Sequence, residues 1–161
     1  MSPSPSSVKR SAPPRPGSAA RPGHGGRVWR LSTALAAAGA GVSAYLTVTG
    51  LQGAPPVCLA GDCAAVAASP YARFLGLPTA AWGLGGFLAA AALAVVVSRG
   101  GPPGVDGPLL FLGLAVFGAA FSAYLLWVQA AVLGAFCSWC LASDLLWAAL
   151  VVTGAIGLRS S

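Results

Sequence analysis

Few charged residues occur in this sequence. Of its 161 residues, 7% are charged, only three are acidic and 57% are hydrophobic. The mean hydropathy is +0.79. A soluble globular domain carries roughly 25% charged residues, so this balance lies far outside the soluble class. Water is therefore excluded as the main solvent of the chain.

Other common features are also missing. The single histidine, His24, lies near the N-terminus, and no repeat of useful length is visible. The glycine-rich stretches lack the preceding strand and the following lysine of a phosphate-binding loop. Nothing in the sequence therefore indicates a nucleotide-binding loop.

The positive charge is concentrated in an N-terminal tail. The formal net charge is +6, and six of the nine basic residues precede residue 31, at Lys9, Arg10, Arg15, Arg21, Arg27 and Arg30. Such a tail can bind nucleic acid, but beside an apolar helix it more often sets membrane orientation and contacts anionic lipid. We expect residues 1–26, rich in Ser, Pro, Gly and Arg, to form a disordered cytoplasmic tail, with membrane lipid and not nucleic acid as its partner.

Four stretches are long and apolar enough to cross a bilayer, which takes about 20 residues. The predicted spans are residues 31–51, 79–98, 109–133 and 136–158. The first is too long for the apolar part of a signal peptide, so we expect it to be retained. The sequence thus predicts an all-α membrane protein, with a four-transmembrane-helix domain over residues 27–158.

The positive-inside rule assigns the orientation of this domain. It places both termini in the cytoplasm and leaves the loop 52–78 and a turn at Gly134 outside. Eight of the nine basic residues agree, and Arg73 is the exception. We expect a multi-pass protein of the cell membrane.

All four cysteines then face one extracytoplasmic compartment. Cys137 and Cys140 form a C-x-x-C motif at the start of the fourth span, so their side chains share one helical face. The positive end of the helix dipole favours a thiolate on Cys137. Cys140 lies about 4.5 Å deeper, by the helical rise. The spacing favours a redox pair.

The other two cysteines, Cys58 and Cys63, can close a small loop with Gly61 at its turn. The stabilisation that a disulfide gives through chain entropy grows with the length of the loop that it closes. A bridge across this short loop would stabilise the fold little, so the pair suits exchange better than architecture. Three alternatives stay open: two structural disulfides, a Cys₄ zinc site, or buried cysteines that act as small apolar side chains. Zinc is disfavoured because one pair begins a membrane span.

An ordered set of short motifs matches a known family. The set comprises Cys63, Ser69-Pro-Tyr71-Ala72, Gly76-Leu-Pro78 and Cys137-Ser-Trp-Cys140, followed by a last span. Over roughly residues 30–158 the chain resembles the vitamin K epoxide reductase family, in its bacterial disulfide-forming branch. Because the sequence ends at Ser161 without the fused thioredoxin-like domain of many members, we expect a separate exported thioredoxin-fold dithiol protein as partner.

The resemblance also implies roles for single residues. Cys58 and Cys63 would carry electrons to Cys137, and Cys140 would face a quinone of menaquinone, ubiquinone or phylloquinone type. Ser69 matches the loop serine of the family, which could hydrogen-bond the quinone ring. Alternatively, Ser69 is the N-cap of a short interfacial helix that ends at Gly76.

Asp144 stands where animal members have a tyrosine, one turn below Cys140. A carboxyl group inside a span is costly and is often functional, and here it could supply a proton to the quinone. The alternative is a hydrogen bond to Ser143, Tyr124 or Gln129.

The resulting hypothesis is a quinone-dependent thiol oxidoreductase that forms disulfides outside the cytosol. A second enzyme candidate is the analogous bundle of the bacterial disulfide-bond protein B family. The alternative from another class is a non-catalytic membrane subunit with two structural disulfides. The susceptibility of the disulfides to reduction separates the enzyme from the structural subunit, because structural bridges resist the glutathione pool and exchange-active ones are labile.

Overall fold

The computed structural model describes residues 24–101, 104 and 106–159 as a bundle of four long helices. Their bounds are α1, His24–Gln52; α3, Thr79–Ser98; α4, Gly107–Trp127, continued by π-helical turns over Val128–Leu133; and α5, Ser138–Arg159. All four, with the π-helical turns counted as part of α4, are long and apolar enough to cross a membrane. The predicted all-α membrane bundle is confirmed.

Helix bounds differ from the predicted spans at three of the four helices. α3 begins and ends where the sequence predicts, whereas α1 begins seven residues before Leu31 and α5 begins at Ser138. The predicted tail boundary at residue 26 therefore falls inside α1, and residues 1–23 lie outside the described residues. The prediction makes α1 too short because it covers only the apolar run. The helix itself continues past Arg30 and Arg27 into the Gly-rich segment, where the apolar run gives no signal for it.

The core is built from aromatic rings that fill notches left by glycines. Trp147 of α5 stacks on Phe87 of α3 with ring centroids 4.3 Å apart. A Cβ at Gly118 would overlap the Trp147 ring, and one at Gly39 would overlap Phe87. In lipid, helices associate largely through such close packing.

The outer surface of the bundle is apolar. Phe117 of α4 and Leu145 of α5 are each 72% exposed, and many other large apolar side chains point outward. Such a surface is stable when it faces hydrocarbon, because the lipid tails are as apolar as the side chains.

The segment between α1 and α3 folds into short elements. A helix α2, Cys63–Ala68, is followed by a 3₁₀ turn, Pro70–Ala72, and by a hairpin of β1, Arg73–Phe74, and β2, Leu77–Pro78. The predicted short helix therefore begins at Pro70 as expected, but it is a single 3₁₀ turn that ends at Ala72, and its predicted extent to Gly76 is wrong. Leu75 and Gly76 have φ of 53° and 82°, which suits a tight hairpin turn and not a helix.

Ser69 occupies the predicted N-cap position before Pro70, but it does not cap the turn through its side chain. Its hydroxyl makes no capping bond to the 3₁₀ turn. Instead, its Oγ donates to the carbonyl of Val66, 2.8 Å away, at the C-terminal end of α2. Ser69 thus links the end of α2 to the 3₁₀ turn.

Candidate functional site: two cysteine pairs beside a cavity

A short backbone contact joins the loop to the start of α5. Gly61 forms an isolated antiparallel bridge with Cys137, and the Asp62 N–H donates to the Phe136 carbonyl at 2.9 Å. Gly61 has φ +83°, and a Cβ at this position would overlap the Phe136 carbonyl oxygen. Glycine is thus required here both by conformation and by space. The contact brings the two cysteine pairs to the same end of the bundle.

The cysteines of the loop are bonded to each other. Cys58 and Cys63 form a disulfide with their Cα atoms 5.7 Å apart. Cys63 is the inner member at 1% exposure, whereas Cys58 is half-buried. Asp62 caps α2 just before Cys63, since its carboxylate accepts from the Ala65 N–H at 2.9 Å. The cap fixes the direction in which Cys63 enters the bundle.

Cys137 and Cys140 are free thiols. Cys137 lies one residue before α5 and is buried, and its sulfur accepts from the Cys140 N–H at 3.3 Å. The hydrogen bond with the Cys140 side chain lowers the pKa of the Cys137 thiol to about 7. This value includes smaller lowering effects of the backbone N–H groups of Cys140 and Trp139 and the opposing effect of burial. The lowered pKa agrees with the thiolate expected on Cys137, but the largest cause of the lowering is the hydrogen bond with the Cys140 thiol.

Gln129 fixes the backbone of Cys137. This buried side chain lies in the π-helical turns after α4, and its Oε1 accepts from the Cys137 N–H at 2.8 Å. The carbonyl of Gln129 accepts from Ala135 at 3.2 Å. Sequence reasoning considered Gln129 only as a partner for Asp144. No local pattern could have indicated the contact with Cys137, because π-helical turns have no composition signal in the sequence.

Two aromatic side chains hold the residue before Cys58. The Tyr45 hydroxyl accepts from the Val57 N–H at 2.9 Å, and Trp139 Nε1 donates to the Val57 carbonyl at 2.8 Å. The rings of Tyr45 and Trp139 lie 5.3 Å apart. Since Trp139 belongs to the C-x-x-C motif, this motif binds the loop directly.

A cavity of about 470 Å³ lies beside the cysteines. Of the six residues that the sequence singles out, five line it: Cys63, Cys137, Cys140, Ser69 and Asp144. Cys58 is not among its lining residues. Trp147 forms part of the wall, together with polar groups from Ser43, Ser122 and Gln129. The lining is mainly apolar, with a few convergent polar groups, as in sites for small organic ligands.

Asp144 presents an unsatisfied oxygen at this cavity. Its Oδ2 is buried and has no hydrogen-bond partner among the described residues. The carboxyl group interacts with the Ser122 hydroxyl of α4. The partners considered from the sequence do not include Ser122, and Gln129 instead bonds Cys137. Asp144 therefore has capacity for one more hydrogen bond.

Within residues 24–101, 104 and 106–159, no group of three or more His, Cys, Asp or Glu side chains is arranged to hold a metal ion. The four cysteines instead divide into a disulfide and a pair of thiols.

A membrane bundle with an oxidised loop pair held against a C-x-x-C pair defines a membrane protein equipped for thiol–disulfide exchange. The comparison with protein families agrees: the model of the vitamin K epoxide reductase family matches residues 30–155, which is most of the sequence. The chain belongs to the vitamin K epoxide reductase family, as its motifs predict. It is thus a multi-pass membrane protein of a family of thiol–disulfide oxidoreductases.

Proposed function

We propose that this protein is a quinone-dependent oxidoreductase that reoxidises a thioredoxin-fold dithiol protein and so supports disulfide formation outside the cytosol. The observation that carries the proposal is the bridge between Gly61 and Cys137. It holds the loop disulfide against the C-x-x-C pair at the edge of a ligand-sized cavity.

Electrons pass between the pairs by two exchange steps. A Cys63 thiolate attacks Cys137 of the oxidised Cys137–Cys140 pair, so the Cys63–Cys137 bond forms and Cys140 leaves as a thiolate. Cys58 then attacks Cys63, which forms the loop disulfide and releases Cys137. The loop loses two electrons and two protons, and the helix pair gains both. An oxidised loop beside free helix thiols corresponds to the state after this transfer.

The size and the mainly apolar lining of the cavity support a quinone as its ligand. It is bordered by the Cys140 side chain and by the buried Asp144 oxygen that lacks a partner. A bound quinone would accept two electrons and two protons. Cys137 and Cys140 would hold these electrons as thiols, and Asp144 would hold a proton at its carboxyl group. Ser69 borders the same space, but its donated bond to Val66 favours a role in fixing the loop.

The proposed orientation places the cysteine end outside the cytosol. Arg73, the one basic residue that the positive-inside rule leaves outside, donates from Nη2 to the Gly50 carbonyl at 3.2 Å. This bond gives Arg73 a structural use at the end of α1. Its position therefore does not argue against the orientation.

The test is a coupled assay with purified protein, a reduced thioredoxin-fold protein and a soluble quinone. We expect quinone reduction, and its loss with every donor in Cys140→Ser. With Cys58→Ser and Cys63→Ser combined, protein dithiols should fail while a small dithiol that reaches Cys137 still works. Asp144→Asn should slow quinone reduction without slowing exchange between partner and loop.

Two outcomes would contradict the proposal. Absence of quinone reduction with all quinone classes, together with a loop disulfide that resists a glutathione buffer, would favour two structural disulfides. A loop double variant as inactive with small dithiols as Cys140→Ser would disprove the order of transfer from loop to helix to quinone.

A further inference from the structure

The Ser138 hydroxyl contacts both sulfurs of the loop pair. Its Oγ lies 3.7 Å from the Cys58 sulfur and 3.9 Å from the Cys63 sulfur. Because the two sulfurs are bonded to each other, they carry no hydrogen, so the hydroxyl is the donor. Within the described residues, the hydrogen-bond contacts of the Ser138 hydroxyl are with these two sulfurs.

Both sides of this contact are held in place. Ser138 is the first residue of α5, and the N–H of the preceding Cys137 is bonded to Gln129. The loop is held by the bond from the next residue, Trp139, to the Val57 carbonyl. Ser138 is half-buried, so water competes less for its hydroxyl than it would at an open surface. The hydroxyl is thus fixed at the place where the loop sulfurs change charge.

We propose that Ser138 is a catalytic residue that donates a hydrogen bond to the loop thiolates during exchange with the C-x-x-C pair. This inference rests on the proposed relay and adds a group to it. A hydroxyl binds a thiolate more strongly than a neutral sulfur, because the bond is charge-assisted. Ser138 therefore lowers the pKa of the attacking thiol and raises its thiolate fraction at neutral pH.

One hydroxyl serves both steps of the transfer. In the first step the negative charge lies on Cys63, which attacks Cys137 while Cys140 leaves with the electron pair of the broken bond. In the second step the charge lies on Cys58, which attacks Cys63 and releases Cys137. Since Ser138 Oγ is within reach of both loop sulfurs, rotation about the Cβ–Oγ bond can turn the hydroxyl hydrogen towards whichever sulfur carries the charge. The hydroxyl proton is shared and not transferred, so the electron and proton balance of the exchange is unchanged.

The test measures the loop thiols alone. In a background with Cys137→Ser and Cys140→Ser, the reduced protein is alkylated with iodoacetamide from pH 5 to 10, and the Cys58 and Cys63 peptides are quantified by mass spectrometry. Ser138→Ala should move the midpoint of at least one loop thiol up by about one pH unit, which is a tenfold change in the thiolate equilibrium. Ser138→Thr keeps the hydroxyl and should restore the midpoint. Ser98→Ala, at the far end of α3, should leave it unchanged.

A second measurement follows the transfer itself. With all cysteines present, oxidised protein is mixed with a reduced thioredoxin-fold protein, which is too bulky to reach Cys137 and reduces only the loop pair, and is quenched with acid at set times. At pH 7, Ser138→Ala should slow appearance of the helix thiols about threefold, since higher nucleophilicity offsets part of the lost thiolate fraction.

Unchanged midpoints for both loop thiols in Ser138→Ala would overturn the inference, as would failure of Ser138→Thr to restore them. Neither measurement requires a quinone, and alkylation also requires no protein partner. Failure of the proposed quinone chemistry would therefore leave this result interpretable.

Discussion

At the scale of single residues, the reactivity of Cys137 depends on Cys140. The pKa of Cys137 is lowered to about 7 mainly by the hydrogen bond with the Cys140 side chain. Because a thiolate is the reactive form, alkylation of Cys137 should rise with pH around a midpoint near 7. In Cys140→Ala the midpoint should move up towards the ordinary value of about 8.5. Cys140→Ser keeps a donor and should lie between the two.

These midpoints are measured by iodoacetamide labelling of protein in which the loop disulfide is intact, so that only Cys137 and Cys140 react. Equal midpoints for Cys140→Ala and the unchanged protein would show that the backbone of α5, and not the Cys140 side chain, controls Cys137.

At the scale of elements, the loop and α5 meet through one glycine. An alanine at Gly61 would be strained at φ +83° and would overlap the Phe136 carbonyl. Gly61→Ala should separate the loop from Cys137 and slow exchange between the pairs on the order of 100-fold, because reacting groups displaced by about 1 Å lose that much rate. Gly76→Ala is a matched control, since Gly76 has φ +82° but open space around it.

Exchange is followed by acid quenching and thiol mapping, and stability by thermal unfolding in detergent. Both alanine variants should lose stability through backbone strain, but only Gly61→Ala should lose exchange. A similar exchange rate for the two variants would mean that the bridge between Gly61 and Cys137 does not align the reaction.

At the scale of the whole molecule, four crossings alternate in direction, so both cysteine pairs share one end. The loop 53–78 and the turn at Gly134 lie at that end, whereas the α3–α4 connection lies at the other. A reporter active only outside the cytosol should therefore work when fused after Pro56 and fail when fused after Gly101. The reverse pattern would place the cysteines in the cytosol, where disulfides are rare, and would remove the proposed partner class.

The sequence by itself determined the spans, the common location of the cysteines and the family. A membrane span is a property of length and composition over about 20 residues, which a continuous stretch such as Thr79–Ser98 carries in full. The motifs that indicated the family are likewise local. Helix ends were less well predicted, because α1 extends beyond the apolar run that marks its span.

Only the tertiary structure decided how the site is assembled. Gln129 with Cys137, Gly61 with Phe136 and Ser138 with the loop sulfurs are contacts between separate elements. The hairpin was missed because Leu75 adopts a positive φ, which a leucine does not signal. Such contacts depend on how the packed helices and the loop meet in three dimensions. The packing of rings into glycine notches holds the helices together, and the bonds between the loop, the π-helical turns and α5 complete the site, so no single segment encodes it.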